Sequence, residues 1–477
     1  MAESLKKKAV HGVLWSGAEN FSVQGIQFVV MIVMANLLDP SDYGILGMLA
    51  IFIAVSNSFV NSGFSQALIR KIDRTETDCS TVFYFNLAIA ALFYLLLFFS
   101  APLIARFYST PLLVPVTRVI SLSLIINAFT IVQRTLFTAR VDFRSQTIAS
   151  IAAVVLSGAT GIWLAYKGYG VWALVAQTLI LGAVNSLLLW ILSRWHPRSV
   201  FSFESLRSMF SFGSKLLLSG LIDTIYNNVY TLVIGRKFSA ADLGFYTRAN
   251  NFAQFPSTNL TNVLQRVTYP VLCNIQNDPE RLATAYRKLL RLSGYVIFPL
   301  MIGLAAVARP TILILIGQKW ESSILLLQIL CFALMWYPIH AINLNLLQVT
   351  GRSDLFLRLE IIKKAVGIVI LCITIPMGLT AMVAGLVVHS VLSLLINTHY
   401  TGKQIGVGFW RQMGDLFPVL CSSLLSGAAA WLAVQLLPTL LTQLIGGIAA
   451  GVVCYLGLSL LFRSPELKEL LGLIKNR

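Results

Sequence analysis

Charged side chains inside long apolar segments are the residues of this chain with the clearest capacity for chemistry. Glu19, Lys215, Asp223, Arg248 and Arg266 each lie within such a segment. A charge at the centre of a bilayer costs about 2.5–3.5 kcal/mol on insertion scales, so it needs a reason to be there. Arginine and lysine bind phosphate, arginine through two parallel hydrogen bonds. A carboxylate in the same setting can take up a proton or attract a cation.

Amide and aromatic side chains accompany these charges at helical spacing. The first segment adds Gln24 and Gln27 on one helical face. Residues 208–235 place on one face Lys215, Asp223, Tyr226, Asn227 and Tyr230. Residues 241–270 do the same with Arg248, Asn251, Asn259, Asn262 and Arg266. Because amides and aromatic rings suit sugars while cations suit phosphate, these faces predict a wet, net-positive cavity that binds a substrate.

Structural explanations of the same residues stay open. Lys215 and Asp223 are two helical turns apart, so each can neutralise the other. Arg248 and Arg266 can extend from near the ends of their segment to the two interfaces. Glu19 and Asp223 are candidates for ion coupling, and the alternative for Glu19 is a buried, hydrogen-bonded carboxylate. His340 and His389 are expected to make structural hydrogen bonds.

The elements that must position these residues are membrane spans. Of the 477 residues, 57% are hydrophobic and 12% are charged, and the mean hydropathy is +0.78. A soluble domain is about one quarter charged. The apolar residues form successive blocks of roughly 20–28 residues, each long enough to cross a hydrocarbon core. This pattern excludes a soluble enzyme, a secreted disulfide scaffold and a single-span receptor.

The distribution of lysine and arginine predicts the orientation. Fourteen spans with a cytoplasmic N-terminus place 25 of the 36 basic residues inside and 6 outside, which is the positive-inside pattern. The bias holds only if the polar segment 241–270 also crosses the membrane, and a polar span must face water or protein rather than lipid. The net charge of +17 therefore indicates an anionic membrane surface and not nucleic acid. Both termini are expected in the cytoplasm.

An internal repeat predicts the architecture. The segment Asp42-Tyr43-Gly44 matches Asp242-Leu243-Gly244, and residues 170–176 match residues 378–384. Six spans per copy give both copies the same orientation, hence a parallel repeat. We expect an all-α polytopic membrane protein of about 14 transmembrane helices. Its predicted parts are an N-lobe at 1–200, a C-lobe at 201–405, two extra spans at 406–463 and a cytoplasmic amphipathic tail at 464–477.

The sequence offers little for an enzyme. The pair Gly402-Lys403 is followed by Gln404, so a phosphate-binding loop is absent, and no His-Glu-x-x-His motif occurs. The six cysteines include no Cys-x-x-Cys pair and are predicted to be small buried hydrophobes. We expect no catalytic residues, no metal and no cofactor.

Three segments carry a resemblance to a known family. They are residues 38–44 (Leu-Asp-Pro-Ser-Asp-Tyr-Gly), 246–256 and 265–272. With the topology of six plus six plus two spans, the chain resembles the Wzx-type polysaccharide flippases. Within the multidrug/oligosaccharidyl-lipid/polysaccharide exporter superfamily, it is similar to the colanic-acid-exporter-like subgroup.

The resemblance implies a function. It implies transfer of undecaprenyl-diphosphate-linked oligosaccharide repeat units across the bacterial inner membrane by alternating access, for exopolysaccharide, O-antigen or capsule assembly. The implied partners are this lipid-linked substrate, membrane lipid, H⁺ or Na⁺ as the coupling ion, and the polysaccharide polymerase machinery. The alternative is an ion-coupled multidrug or small-molecule antiporter of the same superfamily. A glycosyl polymerase or ligase is disfavoured because the outer loops are short.

Overall fold

The computed structural model describes residues 22–475, apart from residues 62, 72 and 141. Across these ranges the secondary structure is helical, without strands. The predicted coupling residue Glu19 lies outside the described residues. In the first half of the chain the helices are α1 (Ser22–Leu37), α2 (Pro40–Asn61), α3 (Phe64–Arg70), α4 (Glu76–Tyr108), α5 (Leu113–Ile120), α6 (Leu122–Ala139), α7 (Phe143–Tyr166), α8 (Val171–Ser193) and α9 (Phe203–Lys237).

In the second half, the described residues form ten further α-helices. They are α10 (Ala240–Asn274), α11 (Pro279–Ala306), α12 (Ala308–Leu315), α13 (Ser323–Leu334), α14 (Tyr337–Val349), α15 (Ser353–Thr374), α16 (Leu379–Ile405), α17 (Phe409–Leu436), α18 (Leu440–Leu461) and α19 (Pro465–Lys475). Short 3₁₀ turns lie at Gln318–Trp320 and Ile375–Met377. The all-α fold class predicted from the sequence is confirmed.

Membrane-spanning capacity is uneven among these helices. In the described part of the chain, 10 helical segments are long and apolar enough to cross a membrane, while α1 is a shorter apolar helix. Helices α9 and α10 have 35 residues each and α15 has 22, but these three are not among the ten. Two of these three helices, α9 and α10, carry most of the predicted site residues. The count of fourteen spans stays a prediction.

The predicted repeat has matching local structure. At the start of α2 the Asp39 amide donates to the Asp42 carboxylate, and at the start of α10 the Ser239 amide donates to the Asp242 carboxylate, both at 3.1 Å. An acidic group here also complements the positive end of the helix dipole. Gly170 caps the start of α8 with φ 53°. The matching glycine of the second copy, Gly378, caps the start of α16 with φ 99°. Glycine adopts this backbone geometry at low cost.

Met1–Gly244 forms the first compact unit. One of its core clusters lies between α3, α4, α6 and the start of α9, around Phe64, Leu68, Phe83 and Val132. Trp195 closes one end of this cluster, and its Nε1 donates to Glu76 Oε2 at 2.7 Å. Burial of these aromatic and aliphatic side chains holds together the helix ends from which α9 departs.

Phe245–Arg477 forms the second compact unit. Helix α11 packs against α17 in its interior, and Arg287 donates to both carboxylate oxygens of Asp415 at 2.6 Å. The helices predicted as extra spans, α17 and α18, pack on each other and on α11 within this unit. At the tail, α19 pairs Glu469 with Lys288 at 3.1 Å. The lobe limits drawn from the sequence stay a prediction.

Candidate functional site

A proline break shapes one wall of the candidate site, which lies in the second unit. Helix α13 ends at Leu334, and Pro338 lies in the first turn of α14. Proline has no N–H, so the Leu334 carbonyl loses its helical partner. Ser257 of α10 fills this role, because its Oγ donates to the Leu334 carbonyl at 2.8 Å. On the other side, Ser390 of α16 donates to the Ala333 carbonyl at 2.9 Å. The two serines therefore fix α10 and α16 against the break.

Helix α10 runs in the same direction as α13 and α14. Near its start, the Phe245 carbonyl accepts a hydrogen bond from Ser323 Oγ at 3.1 Å. Twelve residues further along α10, Ser257 contacts the end of α13. The next turns of α10 therefore lie beside α14, and this pairing determines which side chains meet.

Five uncharged polar side chains line a cavity between these two helices. Asn262, Gln265 and Tyr269 follow one another on α10 at steps of three and four residues, and Asn345 and Gln348 lie three residues apart on α14. Both spacings keep the side chains on one helical face. The cavity has a volume of about 580 Å³, within the range of small-molecule sites. We name it the amide pocket; among the described side chains that line it, none is charged.

Asn345 has an unusual position in the amide pocket. The residue is 6% exposed, and its Nδ2 has no hydrogen-bond partner in the protein. A buried donor without a partner costs about 1–3 kcal/mol. Because Asn345 lines the cavity, an acceptor bound there could take this donor's hydrogen bond.

Asn343, two residues earlier on α14, has the opposite environment. Its Oδ1 accepts from Thr401 Oγ1 at 2.7 Å and from Gln412 Nε2 at 3.2 Å, and its Nδ2 donates to Gln412 Oε1 at 3.2 Å. All three residues are at most 1% exposed. We name Asn343, Thr401 and Gln412 the closed network. It fixes α14 against α16 and α17.

The two predicted structural histidines lie on α14 and α16. His340 Nε2 is 3.1 Å from Ser390 Oγ, and Asn397 Nδ2 is 3.3 Å from His340 Nδ1. His389 Nε2 is 3.0 Å from the Lys363 carbonyl. The expectation that both histidines make structural hydrogen bonds is confirmed.

The predicted site residues of α10 are dispersed along the helix. Arg248 is 8% exposed, Asn251 is exposed, and Asn259 Nδ2 donates to the Phe255 carbonyl of its own helix at 2.8 Å. Of the predicted set, Asn262 enters the amide pocket. The side chain of Arg266 lies outside the described residues, although its backbone belongs to α10.

The remaining predicted residues belong to the first unit. On α9, Asp223 and Asn227 are exposed, Tyr226 is half-buried and Tyr230 is buried, while the side chain of Lys215 lies outside the described residues. On α1, the predicted amides are Gln24, which is half-buried, and Gln27, which is exposed. If α9 crosses the membrane as predicted, its exposed polar groups require a face that meets water rather than lipid. That these faces share one cavity with α10 stays a prediction.

Sequence reasoning missed most of the amide pocket. Gln265 and Tyr269 lie in the polar segment 241–270, but the predicted site does not include them. Asn345 and Gln348 lie in Ser323–Val349, which is apolar overall and satisfies the hydropathy test for a span. A usable signal was present, because Asn343, Asn345 and Gln348 put three amides within six residues of an apolar helix.

The fold defines a class, an all-α multi-pass membrane protein. The profile of the family described as "Polysaccharide biosynthesis protein" matches residues 33–325, more than half of the chain. The chain therefore belongs to this family. In the described residues, no group of three histidine, cysteine or acidic side chains could hold a metal ion.

Relatives with known names support this assignment. The chain is 27% identical to the lipopolysaccharide biosynthesis protein WzxC of Escherichia coli K12 over 402 residues, which cover 83% of this chain and 80% of WzxC. It is 27% identical to the succinoglycan biosynthesis transport protein ExoT of Rhizobium meliloti, covering 66% of this chain and 64% of ExoT. These similarities confirm the flippase-type family resemblance.

The fold has a solved counterpart. It is similar to the inward closed conformation of the lipid II flippase MurJ, with a TM-score of 0.79 and coverage of 94% of this chain and 99% of MurJ. The sequence identity is 14%, so this similarity concerns the fold. ExoT is a transport protein and MurJ is a flippase.

Proposed function

We propose that this protein is a flippase. It moves undecaprenyl-diphosphate-linked oligosaccharide repeat units from the cytoplasmic to the outer leaflet of the bacterial inner membrane, in exopolysaccharide, O-antigen or capsule assembly. The observation that carries the proposal is Arg248, a buried arginine within a polar helix of a polysaccharide biosynthesis family member. An arginine in this setting suits a diphosphate, since its planar guanidinium binds phosphate oxygens in pairs.

The other predicted residues complete the proposed binding surface. Lys215 and Arg266 would add positive charge for the diphosphate. The sugar would contact amide and aromatic side chains, namely Gln24, Gln27, Tyr226, Asn227, Tyr230, Asn251, Asn259 and Asn262. Access would alternate between the two leaflets as the lobes rock, with both termini in the cytoplasm.

The membrane potential can drive this movement directly. Moving one negative charge outward across an inside-negative potential of about 100 mV is favourable by about 2.3 kcal/mol. A proton or sodium ion bound at Glu19 or Asp223 would add to this driving force. Delivery to a polysaccharide polymerase on the outer side would remove the product.

The proposal is tested in cells that lack the protein. Lipid-linked oligosaccharides are quantified by mass spectrometry after complementation with wild type, Arg248→Ala or Arg248→Lys. We expect one polyprenyl-diphosphate oligosaccharide to accumulate without the protein. Wild type should relieve this accumulation, Arg248→Lys should relieve it in part, and Arg248→Ala should fail to do so. Arg266→Ala is expected to resemble Arg248→Ala.

Two controls make the result interpretable. Membrane abundance of each variant is measured by immunoblot, and Gln435→Leu serves as a control change of an exposed residue at the end of α17. An unchanged lipid-linked pool, together with altered sensitivity to cationic dyes, would contradict the flippase and favour the antiporter. The predicted site residues include three cations, Lys215, Arg248 and Arg266, and two carboxylates, Glu19 and Asp223, and this balance favours an anionic cargo.

A further inference from the structure

We propose that the amide pocket between α10 and α14 binds uncharged sugar rings of the transported glycan. The inference rests on the proposed function for the source of the sugar. The pocket itself is defined by five side chains of the second unit: Asn262, Gln265, Tyr269, Asn345 and Gln348.

The lining chemistry selects the class of ligand. Each of the four amides offers a carbonyl acceptor and an NH₂ donor, and the phenol of Tyr269 offers both roles in one group. A sugar hydroxyl is likewise both donor and acceptor. A phosphate or an ammonium would require countercharge, and among the described lining residues none supplies it. An aliphatic ligand would leave these polar groups without partners.

Asn345 supplies an independent indication of a ligand. It is 6% exposed and its Nδ2 has no partner in the protein, although it lines the cavity. On the same helix, Asn343 shows that a buried amide can be fully bonded when protein groups are placed for it. We infer that the partner of Asn345 Nδ2 is a hydroxyl or ring oxygen of the bound sugar.

Tyr269 gives the pocket an apolar contact surface. Tyr269 is 40% exposed and lies one turn beyond Gln265 on α10. The faces of sugar rings carry C–H groups, which pack on aromatic rings while the hydroxyls bond to surrounding amides. A single aromatic wall among four amides suits a sugar better than a flat hydrophobic drug.

The position of the pocket fits the loading step. Helix α10 ends at Asn274 and α14 ends at Val349, a few residues beyond the pocket. Arg281, in the first turn of α11, and Arg352, in the loop after α14, are among the basic residues that the charge pattern assigns to the cytoplasm. The pocket would therefore meet the glycan on the side where it is assembled, and its amides would select which glycans enter.

The test measures sugar binding by the purified full-length protein. The probe is the oligosaccharide released by mild acid from the lipid-linked pool of the host, labelled at its reducing end, and thus free of lipid and diphosphate. Equilibrium dialysis compares wild type with Asn345→Leu, Gln348→Leu and Tyr269→Ala. Inorganic pyrophosphate is titrated in parallel, and Gln435→Leu is the matched control.

We expect each pocket variant to weaken oligosaccharide binding about tenfold, the loss that corresponds to about 1.4 kcal/mol. Pyrophosphate binding should stay unchanged, and Gln435→Leu should match wild type for both probes. Since Asn345 Nδ2 makes no bond within the protein, Asn345→Leu is expected to fold. Tyr269→Phe keeps the ring and should lose less binding than Tyr269→Ala.

The outcomes separate this inference from the proposed function. Oligosaccharide binding that is absent in wild type, or equal in wild type and all pocket variants, would overturn the pocket assignment. It would leave the flippase standing if the cellular lipid-linked pool still depends on the protein. A lipid-linked oligosaccharide pool that does not change when the protein is removed would refute the flippase. Selective loss of sugar binding in the pocket variants would still establish a glycan site.

Discussion

Two asparagines on α14, separated by one residue, have opposite environments. Asn343 lies in the closed network and makes hydrogen bonds to Thr401 and Gln412. Asn345 lies in the amide pocket and its Nδ2 has no partner. Successive residues on a helix are rotated by about 100°, so these two side chains point to nearly opposite faces.

The difference shows two uses of a buried amide in a membrane helix. In the closed network, protein groups satisfy the amide, which fixes the positions of α14, α16 and α17. In the amide pocket, the donor is held in place by the helix but left for another molecule. A cost of this kind is expected where binding takes place, because the ligand recovers it.

The largest expected effect comes from replacing each asparagine with leucine and comparing the stability of the two variants. Asn343→Leu leaves Gln412 Oε1 buried without its partner, and such a group costs about 1–3 kcal/mol. Thr401 Oγ1 and Gln412 Nε2 also lose an acceptor, although they keep the Asn397 and Val407 carbonyls. We expect a marked loss of thermal stability in detergent micelles. Asn345→Leu removes a donor that has no partner, so its stability should equal or exceed that of wild type.

Thermal unfolding of both variants is followed by circular dichroism, with total abundance in the membrane as a second readout. The claim that only Asn343 has a structural role is refuted if Asn345→Leu loses as much stability as Asn343→Leu. That result would mean that Asn345 has a structural partner in the folded protein.

A smaller effect is expected from Thr401→Val, which tests how the two donors of the closed network share Asn343 Oδ1. The substitution keeps the branched shape but removes the 2.7 Å hydrogen bond to Asn343 Oδ1. Gln412 Nε2 still donates to that oxygen, so the acceptor keeps one partner. We expect a loss of about 0.5–1.5 kcal/mol in the free energy of unfolding. A loss as large as that of Asn343→Leu would argue against shared bonding at this oxygen.

The sequence predicted the helical fold and the polar helices well, because hydropathy and charge act locally. The matching helix starts at Asp42 and Asp242 were also visible as a repeat, and the structure gives them the same capping bond. Family membership followed from short motifs combined with topology and is confirmed by the profile match.

The amide pocket was predicted only through Asn262. Its other wall, Asn345 and Gln348, is about 80 residues away in the chain, and no local pattern pairs α10 with α14. That pairing depends on the interruption of the helix at Pro338 and on the hydrogen bond from Ser257 to the Leu334 carbonyl. The sequence does not show that these two distant residues meet. Hydropathy also averages over a whole helix, so two amides in an apolar span do not alter the prediction for that span.

The smallest expected effect concerns the bond that places the two walls side by side. Ser257→Ala removes the hydrogen bond to the Leu334 carbonyl, and interhelical bonds in membrane proteins contribute about 0.6 kcal/mol on average. Pro338→Ala restores an N–H that can bond to the same carbonyl within the helix. The cost of Ser257→Ala should therefore fall towards zero in the Pro338→Ala background. A double-mutant cycle of unfolding free energies measures this coupling, and strictly additive losses would show that the serine does not compensate for the proline.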